Sequence, residues 1–64
     1  MKTLHVNEFF REYIWGDGKS IRITNVRQVA IADSGSHRVT DVKGVTTYIP
    51  SGWFYFKFKG EVIA

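Results

Sequence analysis

The stretch Trp53-Phe54-Tyr55-Phe56-Lys57-Phe58-Lys59 constrains the fold more than any other part of this sequence. Its alternation predicts a β-strand, because successive strand side chains point to opposite faces. Phe54, Phe56 and Phe58 share one face, which is expected to be buried. Trp53, Tyr55, Lys57 and Lys59 share the other, and that aromatic and basic face is the one surface of the chain that suggests a task. A chain of 64 residues must bury such a strand within a single domain, 1–64, with little core to spare. It holds no cysteine, so neither disulfides nor thiolate-bound metal can supplement that core. What is left is the packing of ten aromatic residues, or self-association.

Turn residues divide the rest of the chain. Gly16-Asp17-Gly18, Asp33-Ser34-Gly35-Ser36 and Asp41-Val42-Lys43-Gly44 all read as turns. Strands are expected at residues 2–6, 20–24, 28–33, 37–40 and 45–49, the last closed by Pro50. Between Ile23 and Val29 the apolar alternation slips phase, which places a bulge at Asn25 or Arg27, or breaks the segment into two strands. Residues 8–15 fit two templates. A strand would leave a charge on each face, Arg11 on one and Glu12 on the other. A helix gathers Val6, Phe9, Phe10, Tyr13 and Ile14 on one stripe, with Asn7 as N-cap and Gly16 just past the end. The helix is the better match. The expected fold is therefore α+β: one short N-terminal helix packed on an antiparallel β-meander of four to five strands. A small all-β barrel is the alternative if residues 8–15 are extended.

Candidate chemistry is sparse. Gly18-Lys19-Ser20 resembles the end of a phosphate-binding loop, but Tyr13 stands where the first glycine is required, and a strand follows rather than a helix. His5 and His37 form no metal-ligand spacing, and His37, between Asp33 and Asp41, reads as a surface histidine. Glu8 and Glu12 would lie one turn apart on the polar side of the helix, beside Arg11, as a solvated face rather than an acid–base pair. No nucleophile elbow surrounds Ser34, Ser36 or Ser51. An enzyme, a cofactor and a small-molecule substrate are therefore not expected.

The expectation is a non-catalytic binding module. Its partner-binding residues are Trp53, Tyr55, Lys57 and Lys59, joined by Arg22 and Arg38 if the sheet register allows. A protein partner or a second copy of the chain is the first reading, since exposed aromatics favour interfaces. Single-stranded nucleic acid is the alternative, with bases stacked on Trp53 and Tyr55 and phosphates met by lysines. The net charge of +3 is too modest and too evenly spread to favour it. Neither a signal peptide nor a membrane-spanning run is evident, so the expected location is cytoplasmic.

Overall fold

The computed structural model describes residues 1–63, and among them there is no helix. Five strands, β1 (Lys2–Ile14), β2 (Ser20–Ile31), β3 (His37–Asp41), β4 (Thr46–Ile49) and β5 (Tyr55–Val62), form one open antiparallel sheet. Their order is β4-β3-β2-β1-β5, so the first four strands run as a meander and the last returns beside β1. The expected turns join them. Trp15 N–H donates to Lys19 O, Ala32 N–H to Ser36 O and Asp41 N–H to Val45 O. Asp17 and Asp41 accept from backbone N–H groups within their own turns.

This all-β architecture overturns the α+β expectation. The proposed helix at residues 8–15 is the second half of the long strand β1, which is the small all-β alternative in its strand content, though the sheet remains open. The charge on each face was the reason to reject a strand, and the structure answers it with an ion pair. Arg11 and Glu8 both point inward and neutralise one another. A bulge makes this possible. Between Glu8 and Phe10 the register with β5 shifts by one, so Phe9 is the extra residue, and Glu8, Arg11 and Tyr13 all reach the inner face.

Two long strands can bury one face only if the sheet bends onto itself. The slip in β2 supplies part of that bend. Asn25 adopts a left-handed conformation (φ 54°), and the register with β3 shifts between Val26 and Gln28. Val26 and Val29 are thereby both buried despite their odd separation. The consequence is long-range. Register alone sets His37 opposite Ile31, and Ile31 opposite Lys2, at the start of β1. Yet His37 packs against Tyr13, at the far end of β1, with ring centroids 5.5 Å apart. The sheet has curled until its β3–β4 corner covers its β1–β5 corner. Val6, Tyr13, Ile23, Val26, Val29, Val39 and Ile49 form the enclosed core, with Leu4, Trp15, Ile31 and Trp53 packed around it.

Candidate functional site

The inner face carries a buried polar chain at its centre. Glu8 is 1% exposed and Arg11 5%, and they form a two-pronged pair: Arg11 Nε donates to Glu8 Oε1 at 2.9 Å and Nη2 to Oε2 at 2.7 Å. Arg11 Nη1 donates to the Tyr13 hydroxyl at 3.3 Å, and that hydroxyl lies 2.6 Å from His37 Nδ1. A guanidinium can only donate, so the Tyr13 oxygen accepts from Arg11, while its bond to His37 Nδ1 has either atom as donor, according to the imidazole tautomer. Burial works against the Arg11 charge, but the hydrogen bonds to Glu8 and Tyr13 outweigh it and its pKa moves up. Burial likewise raises the Tyr13 phenol, with Arg11 offsetting part of the rise. His37 is held below the usual imidazole value, first by burial and then by the Arg11 charge. No buried side-chain polar atom among the described residues lacks a partner.

This corrects two expectations. Glu8 is not on a solvated face, and His37 is not a surface residue. The histidine lies under Trp53 and Phe56, with centroids 4.6 and 5.9 Å away. So enclosed, the Tyr13–His37 pair ties the curled sheet together.

The aromatic segment is extended from Tyr55 onward, but its expected faces are exchanged in part. Trp53 precedes β5 and is half-buried, its ring 5.2 Å from that of Tyr13. It belongs to the core, not to an outward aromatic row. The three phenylalanines expected in the core are exposed. Phe54 is 77% exposed and Phe58 47%, and Phe56 is also accessible. Phe56 and Phe58 lie opposite Tyr13 and Arg11 on the inner face, but at its open margin, where no strand follows β5. Their rings are stacked on one another, with Arg11 Cζ 4.9 and 5.2 Å from the two centroids. The buried cation thus holds the underside of both rings while their upper sides meet solvent.

On the outer face Tyr55, Lys57 and Lys59 are exposed, as expected. Lys57 and Arg22 stand on either side of Glu12, at 3.5 and 3.6 Å, in one cross-strand row. Arg22 also covers the Phe10 ring at 4.3 Å, and Lys59 Nζ lies 5.9 Å from the Phe9 centroid. Arg22 therefore joins Lys57 and Lys59. Arg38 does not. It sits opposite Ala30 and Tyr48, and Ala30 pairs with Thr3, at the end of β1 remote from Glu12. There it contacts the Tyr48 ring and Met1 Sδ.

Strand β5 is thus exposed at all eight positions and paired on one side only. The other edge of the sheet, β4, is four residues long and ends before Pro50, which are the usual means of blunting an edge. Nothing comparable shortens β5. Sequence reasoning missed Phe56, Phe58, Gly60, Glu61 and Val62 as surface residues, because alternation says which side chains share a face but not whether another layer covers it.

An open apolar depression beside the first hairpin is lined by Trp15, Ile21 and Pro50 with Asp17, Lys19 and Ser20. Asp17 and Lys19 face one another there at 4.0 Å. No cluster of metal-ligating side chains occurs among the described residues. No helix among them is long and apolar enough to cross a membrane. No protein-family model, curated protein or solved structure matches this chain.

Proposed function

We propose that the protein is a non-catalytic binding module that takes up a protein partner along β5. One observation carries this reading: an eight-residue edge strand bears exposed aromatic side chains on both faces and, among the described residues, has no neighbour on its outer side. Such an edge presents unpaired N–H and C=O groups to a further strand. The aromatic side chains beside it supply apolar area and selectivity for alternate residues of that strand. The reducing cytoplasm suits a chain without cysteine.

The nucleic-acid alternative draws less support from the geometry. Its stacking surface loses Trp53 to the core, and Lys57 is engaged by Glu12. Tyr55 remains with Lys57 and Lys59, and Glu61 follows on the same face.

Selection of displayed random peptides on the immobilised protein tests the proposal. Enriched peptides are expected to carry apolar residues at every second position, and to lose binding to a Phe56→Ser/Phe58→Ser variant that remains folded. Absence of enrichment, or enrichment indifferent to that variant, would remove the proposal. Salt-sensitive binding of labelled oligothymidine that Lys57→Glu abolishes would instead favour the nucleic-acid reading.

A further inference from the structure

We infer that the partner of β5 is β5 of a second copy of this chain, joined antiparallel across a twofold axis at Lys59. This inference rests on the proposed role of β5 as a docking edge and names what docks there.

The sequence of the strand is self-complementary in that register. Two antiparallel copies centred on Lys59 place Phe56 opposite Val62 of the second copy, and Phe58 opposite its Gly60. They also place Lys57 opposite Glu61 and Tyr55 opposite Ile63. Each pair occurs twice, because the axis makes the interface isologous. Facing residues in an antiparallel pair share a side of the sheet, so the inner and outer faces of both copies run on continuously. Within one chain Phe56, Phe58 and Val62 lie opposite Tyr13, Arg11 and Val6 of the inner face, while Lys57 lies opposite Glu12 of the outer one. The apolar pairs therefore extend the inner core, and the lysine–glutamate pairs lie on the outer surface. Phe58 fills the space left by the absent side chain of Gly60, an arrangement that suits a glycine within a sheet.

That glycine cannot be replaced for a reason internal to the chain. Gly60 has φ +146°, and a Cβ there would overlap Asn7 O and lie 2.6 Å from Glu8 Cα. The bulge in β1 thus imposes a gap on the inner row of β5, and an aromatic ring from outside the chain can cover it. Lys59 faces its own copy, the one unfavourable contact.

The neighbouring registers are worse. Centring on Phe58 sets Lys57 against Lys59 twice. Centring on Gly60 pairs Lys59 with Glu61 and Phe58 with Val62, but it sets the two glycines against one another, so the gap on the inner row stays unfilled, and it carries Phe56 past Val62, the last residue of β5. Like-charge pairs directly opposite one another are destabilising.

Light scattering on size-exclusion fractions, over a range of protein concentration, reads the outcome as mass. The wild type is expected at twice the mass of the chain. Lys57→Glu and Glu61→Lys, each checked for folding by circular dichroism, are expected to weaken self-association about tenfold or more, since each creates two like-charge pairs. Mixing the two variants is expected to restore the dimer, because glutamates at 57 and 61 in one chain then face lysines at 61 and 57 in the other. Lys59→Glu only exchanges one like-charge pair for another and is expected to leave the dimer in place. A wild type that stays monomeric, single variants that stay dimeric, or a mixture that fails to pair would overturn the inference. So would a dimer lost on Lys59→Glu but kept on Lys57→Glu. A monomeric wild type that still captures displayed peptides through Phe56 and Phe58 would sink self-pairing alone. One that captures none would sink the docking role of β5 as well.

Discussion

Replacing Arg11 by methionine tests why β1 is a strand. The substitution leaves the Glu8 carboxylate 1% exposed and without its two charge-assisted bonds. Breaking one side of a buried ion pair costs about 3–5 kcal/mol, most of it the penalty for stranding the other charge. The Tyr13 hydroxyl also loses a donor, and the rings of Phe56 and Phe58 lose the cation beneath them. For a chain of this length total stability is about 3–10 kcal/mol, so the variant is expected to sit at or near the folding limit. Changing both partners, in Glu8→Leu/Arg11→Met, removes the charges together, and such replacements are often neutral or stabilising. Urea denaturation followed by circular dichroism on the wild type, both single variants and the double variant closes the cycle. The double variant is expected to be more stable than either single one. An Arg11→Met variant within about 1 kcal/mol of wild type would refute the reasoning, since surface-like pairs contribute no more than that. So would strictly additive losses.

Three further outcomes are expected. Gly60→Ala combines a strained φ with a backbone overlap and should lose about 2 kcal/mol or more, read as a lower urea midpoint; an unchanged midpoint would mean that β1 and β5 are not that close. His37 is neutral in the fold and its pKa is lowered, so the unfolded chain takes up a proton first as the solution is acidified. Stability should therefore be complete above the ordinary value of 6.5 and fall as pH drops through it toward the lowered folded value; a His37→Gln variant should lack that slope, and retention of the slope would assign it to another group. Tyr13→Phe leaves Arg11 Nη1 and His37 Nδ1 short of a partner and should cost about 1–3 kcal/mol in thermal or urea melts, whereas a neutral effect would show that the hydroxyl is not shared between them.

Much of the β framework was legible in the sequence, because turns and alternation are local. The three hairpin turns announce themselves through Gly, Asp and Ser, and the phase slip near Asn25 marks a real distortion of β2. A helix fits residues 8–15 on local pattern alone, because a charge on a strand face ordinarily marks solvent. Arg11 and Glu8 are three positions apart, which is odd for a strand, and only the bulge at Phe9 brings them to the same side. The candidate surface was half legible. Tyr55, Lys57, Lys59 and Arg22 do share an exposed face. Trp53 and the phenylalanines changed places because burial depends on which strand lies at the margin of the sheet. That is a property of strand order, and no local pattern in residues 53–59 encodes it.

Amide hydrogen exchange along β5, followed by NMR as the protein is concentrated, tests the role of that edge most directly. In dilute solution, the amides of β5 that point away from β1 are expected to exchange rapidly, while those of β1 and β2 are protected. On concentration the same β5 amides should become protected, with β4 unaffected. Protection of the whole strand in samples that light scattering shows to be monomeric would mean that the edge is already covered within one chain. Rapid exchange that never responds to concentration would deny that a second copy covers it.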